Sequence, residues 1–407
     1  MMATWGTETL SNVAEMSSDK ISTSKLTIEK YISTENMLPD RGGVTLAIKL
    51  PTSGNVNEFL PGDVLFSNIR TYFKKVWLAE RHGGASADVI VFRARDNKKV
   101  DNRYLYYVLS SDSFIESTVT ASKGTKMPRG DKDAMRRYAI PLPPLPAQQR
   151  IASILSAYDD LIENNQRRIR ILEDIARNLY REWFVNFRYP GHASAPLVVS
   201  LLGQIPQGWE VKTLPECVQI NPRVTVPREG EKPFVPMSCL ANGSMLITDI
   251  ETRAGNSGAK FQNGDTLFAR ITPCLENGKT GFVQFLPDVK AVAFGSTEFI
   301  VFRTHTLTPE FVYLLARSEA FRDNAINSMT GASGRQRVQE RCFDSFLIAH
   351  PPRILLDKFS ALVAPSFRMI QKLHLQTDNL RRTRDLLLPR LLSGQVSLSD
   401  AVSEAIQ

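Results

Sequence analysis

Cysteine and histidine are scarce in this 407-residue chain, and neither is placed to bind a metal. The four cysteines (Cys217, Cys239, Cys274, Cys342) all fall in the second half without CxxC spacing, so they read as reduced thiols and not as a disulfide framework or zinc site. The five histidines (His82, His192, His305, His350, His374) show no ligand spacing either. No apolar run approaches the ~18 residues that span a bilayer. The opening Met1-Met-Ala-Thr-Trp-Gly lacks the basic and apolar regions of a signal peptide. The expectation is a protein that stays in the cytoplasm, where it is made. Catalytic signatures are missing as well: there is no Gly-rich loop ending in GK[ST] and no GxGxxG opening a helix after a strand. The Pro-Pro pairs, Leu142-Pro-Pro-Leu145 and His350-Pro-Pro-Arg353, do not carry the Asn/Asp-Pro-Pro-aromatic pattern of amino-methyltransferases. No Pro-Asp precedes Glu210-Val-Lys212 at a workable distance, so a solvated strand is favoured over a nuclease site. No catalytic residue, metal ligand or cofactor site is expected on this chain.

What the chain does have is a copy of itself. Tyr138-Ala-Ile-Pro-Leu-Pro-Pro144 answers Phe346-Leu-Ile-Ala-His-Pro-Pro352, 208 residues on, and long amphipathic segments follow both without a gap in register. With 43% hydrophobic residues the chain can bury two cores. Six segments are predicted. They are a mixed domain over 1–142, a helical spacer over 143–187, a linker over 188–204 rich in turn formers, a second mixed domain over 205–350, a second spacer over 351–392, and a tail over 393–407.

Inside the mixed domains the repeat persists. Pro61-Gly-Asp-Val-Leu-Phe-Ser-Asn-Ile-Arg70 parallels Asn263-Gly-Asp-Thr-Leu-Phe-Ala-Arg-Ile-Thr272, each reading as a glycine turn entering a strand. Asp88-Val-Ile-Val-Phe-Arg93 parallels Glu298-Phe-Ile-Val-Phe-Arg303 as an apolar strand. Tyr104-Leu-Tyr-Tyr-Val-Leu109 and Phe311-Val-Tyr-Leu-Leu-Ala316 have helical spacing. Asn242-Gly and Asn277-Gly add hairpin signals. The fold class is therefore α+β in two similar domains, with a pseudo-two-fold internal repeat.

The spacers carry a 4-3 stripe: Ile151, Leu155, Tyr158, Ile162, Asn165, Ile169, Leu172 and Leu179 in the first; Phe359, Val363, Ile370, Leu373, Leu380 and Leu387 in the second. The two seams are expected to face each other as an antiparallel coiled coil within one chain, with Asn165 helping to fix register. About 33 residues make a rod of roughly 50 Å, matching roughly 15 base pairs of B-DNA.

Net charge is +8, compatible with a polyanionic partner. The placement of the charge is more telling. Ser122-Lys-Gly-Thr-Lys-Met-Pro-Arg-Gly-Asp-Lys-Asp-Ala-Met-Arg-Arg137 and Thr330-Gly-Ala-Ser-Gly-Arg-Gln-Arg-Val-Gln-Glu-Arg341 lie at equivalent places and both read as loops. Lys123, Lys126, Arg129, Arg335, Gln336 and Arg337 are the DNA-contact candidates within them, since Arg suits guanine and Gln adenine. Asn68, Arg70, Arg270 and Thr272, at the ends of the Gly-Asp strands, are further candidates. A solvated loop is the plain alternative for each segment alone; recurrence at matched positions favours contact.

Three stretches then carry a resemblance: Gly62-Asp-Val-Leu-Phe-Ser-Asn-Ile-Arg70, Ile140-Pro-Leu-Pro-Pro-Leu-Pro-Ala-Gln-Gln-Arg-Ile-Ala-Ser-Ile-Leu155 and Leu387-Leu-Pro-Arg-Leu-Leu-Ser-Gly-Gln395. With Trp209-Glu-Val-Lys-Thr-Leu214 they make the chain resemble, over essentially its whole length, the specificity subunit of type I restriction-modification systems. The resemblance implies two target-recognition domains, each reading half of a split DNA sequence, on a helical spacer. It implies a non-catalytic subunit that docks two methyltransferase subunits, which carry S-adenosylmethionine, and restriction subunits, which use ATP and magnesium. Two departures stand out. His350-Pro-Pro-Arg-Ile-Leu-Leu-Asp357 lacks the Leu-Pro-x-Gln-Gln of the first copy, and Trp5-Gly-Thr-Glu-Thr-Leu10 only echoes the Trp-Glu opening of the second, so an irregular start is expected. A scaffold without nucleic acid and a self-sufficient DNA-modifying enzyme are the competing readings.

Overall fold

A computed structural model describes residues 5–332 and 334–396. The first four residues, Ser333 of the second cationic segment and the tail from 397 lie outside the described residues. The chain divides into two compact units, Met1–Ile162 with Asn379–Gln407, and Glu163–Asp378. No helix among the described residues is long and apolar enough to cross a membrane.

In unit 1 the strands are β1 (Thr7–Thr9), β2 (Ala14–Met16), β3 (Lys20–Ser22), β4 (Tyr31–Ile32), β5 (Asn55–Phe59), β6 (Val64–Ser67), β7 (Val76–Leu78), β8 (Gly83–Ala85), β9 (Val89–Ala94) and β10 (Ala139–Pro141). Helices α1 (Leu10–Val13), α2 (Asn102–Ser110), α3 (Asp112–Thr120) and α4 (Lys132–Arg137) precede the long α5 (Leu145–Tyr180). The first sheet has the order β2-β9-β6-β7 and the second β3-β5-β8-β4, while β1 pairs with β10. The first sheet is buried on both faces. Val64, Phe66, Ile90 and Phe92 point to α2 and α3, and the alternate residues Leu65, Val89 and Val91 point to the second sheet. That period of two explains why these strands read as unbroken apolar runs.

Unit 2 repeats the plan. Its strands are β11 (Leu197–Ser200), β12 (Gly203–Pro206), β13 (Glu210–Thr213), β14 (Val218–Ile220), β15 (Lys232–Val235), β16 (Glu251–Arg253), β17 (Ala259–Phe261), β18 (Thr266–Ala269), β19 (Thr280–Phe282), β20 (Ala293–Gly295), β21 (Phe299–Thr304) and β22 (Leu347–His350). Its helices are α6 (Leu214–Cys217), α7 (Pro309–Arg317), α8 (Glu319–Asn327) and α9 (Arg353–Leu392). The order β14-β21-β18-β19 matches the first sheet of unit 1, and β13–β22 matches β1–β10. In the second sheet, β17-β20-β15 matches β5-β8-β4, but the extra strand sits on opposite edges, β3 beside β5 and β16 beside β15. The two domains have thus diverged at a sheet edge and kept the centre.

Gly62 and Gly264 enter the Gly-Asp strands with φ of 92° and 88°, the left-handed turn that the sequence implied. Three expectations need correction. The opening of the first domain is regular: Thr7–Thr9 pairs with Ala139–Pro141 as Glu210–Thr213 pairs with Leu347–His350, because backbone pairing does not require the Trp-Glu side chains. Asn242-Gly and Asn277-Gly are not two-residue hairpins. The first lies in a turn closed by the isolated bridge Leu240–Ile247, and the second ends the helical turn from Pro273, where Asn277 N donates to the Pro273 carbonyl. The cationic segments are not loops throughout, since Asp131 caps α4 and Glu340–Phe343 forms a 3-10 turn. The apolar stretch of the 188–204 linker forms β11, which pairs with β12.

The spacers run antiparallel. In unit 1 the start of α5 (Ile151, Leu155, Tyr158) shares a core with the end of α9 (Leu387, Leu388, Leu391). In unit 2 the end of α5 (Ile169, Ala176, Tyr180) shares a core with the start of α9 (Phe359, Val363, Ile370, Leu373). Ile162 and Asn165 are buried too, whereas Leu172, Leu179 and Leu380 are half-buried. Ser366 occupies the place in the 4-3 spacing between Val363 and Ile370, and there the neighbouring Phe367 turns inward. Arg384, another polar seam residue, donates from Nη1 to Asp159 at 2.6 Å, and Tyr107 donates to the same carboxylate at 2.7 Å. Burial opposes the Arg384 charge, but Asp159 and Asp385 outweigh it and hold its pKa above the ordinary arginine value.

Candidate nucleic-acid interface

Each first sheet ends its Gly-Asp strand in a short segment that is clamped by the cationic loop. In unit 1, β6 runs into Asn68, Ile69 and Arg70. Gly130 N donates to the Asn68 carbonyl (3.1 Å) and Arg70 N to that of Pro128 (2.9 Å), while Lys123 and Arg129 exchange backbone bonds of 2.9 Å. In unit 2, β18 runs into Arg270, Ile271 and Thr272. Thr272 N donates to the Gln336 carbonyl (3.0 Å) and Val338 N to that of Arg270 (2.8 Å), while Thr330 and Arg337 exchange bonds of 3.1 and 2.9 Å. The clamp is the same in both units although several of its residues differ, Asn68 and Arg70 standing where Arg270 and Thr272 stand in the second copy.

An ion pair pins each clamp to the neighbouring strand. Arg129 meets Asp88 at 3.1 Å, and at the matched place Arg337 grips Glu298 through two nitrogens at 2.7–3.0 Å. Exposed pairs of this kind add little stability, so their effect is to hold geometry. The Glu298 hydrogen bond raises the Arg337 pKa above its ordinary value. Lys123 pairs with Asp131 at 2.6 Å, and this bond, with two backbone donors at the α4 cap, pulls the Asp131 carboxyl down to about 2. Arg270 pairs with Glu340 at 2.9 Å.

The ten candidates therefore divide by environment. Asn68 and Thr272 are buried and hold the loops; Gln336 N donates to Thr272 Oγ1 at 3.0 Å. Lys123, Arg129, Arg270 and Arg337 face carboxylates that a phosphate could replace. Lys126 and Arg335 are exposed, and Gln336 is half-exposed. Arg70 makes one long contact, 3.4 Å, from Nη2 to the Lys126 carbonyl.

Sequence reasoning passed over the carboxylates. Asp63 and Asp265 of the Gly-Asp turns are only 3% and 1% exposed. Asp63 accepts from Arg93 and Asp265 from Arg303, at 2.8 and 2.6 Å. Each also accepts the backbone N–H three residues back, that of Leu60 or Gln262. Burial raises the Asp265 pKa against the pull of Arg303. The signal was present: both copies place Asp after Gly and Arg at the end of the partner strand. Gln148, in the Leu-Pro-Ala-Gln-Gln stretch, is fully buried; it accepts from Asp101 N and donates to the Lys99 and Pro143 carbonyls. The buried Leu356 takes its place in the second copy, which accounts for that departure.

Away from the cationic loops, each unit has a concavity at matched residues. In unit 2 an open cleft of about 960 Å³ is lined by Leu315, Ser318, Phe346, Ala349 and Phe184 among others. In unit 1 a smaller one, about 250 Å³, is lined by their counterparts Val108, Ser111, Tyr138, Pro141 and Leu392.

A family model described as the type I restriction modification DNA specificity domain matches residues 2–174. The type I restriction enzyme MjaIX specificity subunit of Methanocaldococcus jannaschii is 27% identical over 311 residues, 74% of this chain and 70% of its own. The EcoEI specificity subunit of Escherichia coli is 30% identical over 203 residues, 47% of this chain and 34% of its own. In fold, the chain is similar to the crystal structure of the S subunit from M. genitalium, with a TM-score of 0.59 at 15% identity, covering 95% of this chain and 96% of that one. With its duplicated sheets and paired spacers, the chain is similar to the specificity subunits of type I restriction-modification systems, and its residues 2–174 match their DNA specificity domain.

Proposed function

We propose that each unit reads one half of a split, asymmetric DNA target, and that the chain does no chemistry itself but docks methyltransferase and restriction subunits in the cytoplasm. The observation that carries the reading is the repeated clamp, in which one backbone frame presents different side chains: Lys126 and Arg70 in unit 1, Arg335 and Gln336 in unit 2. A fixed frame with varied tips suits two readers of unlike half-sites, with Arg suited to guanine and Gln to adenine. The paired clefts at matched residues fit two copies of one partner, which we assign to two methyltransferase subunits carrying S-adenosylmethionine. Restriction subunits using ATP and magnesium complete the proposed assembly.

Mapping methylated adenines in cells that express the chain with its methyltransferase tests the whole reading; a split motif is the expected result, and a continuous one rejects it. At the loops, Lys126→Ala and Arg335→Ala should each weaken binding in retardation assays. Where the side chain neutralises a phosphate, its removal should also lower the salt slope by about one. Binding unchanged at every salt concentration removes that residue from the interface.

A further inference from the structure

The first reader carries a feature that the second lacks. Tyr72 and Phe73 are 48% and 41% exposed, with ring centroids 4.7 Å apart, on the 3-10 turn Thr71–Phe73 just beyond Arg70. Large rings left in water are held there by an unusually constrained backbone. Arg70 and Lys74, on either side of the turn, have φ of 49° and 52°. Asp40 N donates to the Phe73 carbonyl and Arg41 N to that of Lys74, and these two donors have φ of 52° and 61°. Four of the seven non-glycine residues with positive φ among the described residues thus meet at one spot. Such conformations persist only where the surroundings enforce them, and they gather at functional sites.

The enforcement is visible. The Arg41 side chain is 6% exposed, its Nε donates to the Ser110 carbonyl, and it pairs with Asp112, as does Lys74 at 2.7 Å. Thr71, in the same turn, is buried, and Met127 of the cationic loop is exposed. Arg70, which enters the turn, donates to the Lys126 carbonyl of the cationic loop at 3.4 Å, and Lys75 Nζ lies 6.0 Å from the Phe73 centroid. In the second reader, the residues that follow Thr272 are Pro273, Cys274, a fully buried Leu275 and an exposed Glu276. These four positions hold neither aromatic rings nor cations.

Resting on the DNA-reading function above, we propose that Tyr72 and Phe73 stack on nucleobases of the half-site read by unit 1, locally opening the duplex there, while unit 2 reads its half-site without stacking. Every base offers a π-face, and apolar wedges between base steps are an established way to unstack a duplex. The cations beside the rings suit a phosphate backbone and disfavour a neutral apolar partner.

The test uses the full chain assembled with its methyltransferase on duplexes that carry the mapped motif, with 2-aminopurine placed in either half-site. Fluorescence should rise for probes in the first half-site only. With Tyr72→Leu and Phe73→Leu together, the rise should vanish and cognate affinity fall by about tenfold or more, while assembly and binding to random duplex persist. Tyr72→Phe, which keeps the ring, should retain the signal. The proposal is overturned by a rise that survives the leucine pair, by equal rises in both half-sites, or by a leucine variant that fails to assemble with the methyltransferase, which would make the patch a protein contact. Wild-type protein that does not prefer cognate over random DNA would overturn the DNA-reading function and this proposal together, and would be seen before any variant is made.

Discussion

Asp63 and Asp265 join turn to strand by accepting both a backbone N–H and an arginine fork. Their burial makes them sensitive to loss of the partner, because a charge stranded away from water costs far more than a surface pair contributes. Asp265→Ala should lower the stability of the full chain by about 2–3 kcal/mol in denaturant unfolding, below the about 3–5 kcal/mol of a fully buried broken pair because Arg303 keeps some contact with water. A change under about 0.5 kcal/mol would mean that the pair is decorative. His350 offers a pH prediction. Its Nε2 lies 3.0 Å from Thr306 Oγ1, and burial, then Lys212, lowers its pKa below the ordinary value. A ring kept neutral by folding contributes stability that is present above the unfolded pKa, about 6.5, and is lost as pH falls through that value towards the folded one. Stability should therefore decline from pH ~7 towards ~5, and His350→Gln should flatten that part of the curve. An unaltered slope would assign it to other groups.

Among the elements, the two long helices show how far periodicity reaches. The stripe in α5 was readable because Ile151, Leu155, Tyr158 and Ile162 keep a 4-3 spacing and are all buried. In α9 the stripe is interrupted by Ser366, Thr377 and Arg384, and only tertiary contacts explain them. Phe367 turns inward beside Ser366, the Thr377 hydroxyl donates to the Leu373 carbonyl, and Arg384 meets Asp159 from the other helix. A one-letter pattern cannot show a charge neutralised by a residue 225 positions away. Leu155→Ala should destabilise the chain by about 2–5 kcal/mol, as a cavity in a packed core does. Leu380→Ala, at a half-buried position, should cost less than half as much. Thermal melts of the two variants compare them directly, and equal losses would contradict the burial difference.

Across the molecule, the duplication is the main fact. Three strands of each second sheet keep one order, and the fourth changes edge between units, so the frame is shared while part of the rim is not. Exchanging residues 1–142 for the recognition block of another specificity subunit should alter one half of the methylated motif and leave the other. A change in both halves would end the two-reader model.

The repeat, the amphipathic spacers, the glycine turns into the Gly-Asp strands and the two cationic segments were all legible in the amino-acid order, because each is a local pattern governed by backbone geometry or by the period of buried residues. Folding alone settled which cations are held by Asp88, Glu298, Asp131 and Glu340, that Asn68 and Thr272 are buried, and that Tyr72 and Phe73 stay in water. Those outcomes depend on groups far apart in the chain, whose burial and charge pairing exist only once the sheets have closed.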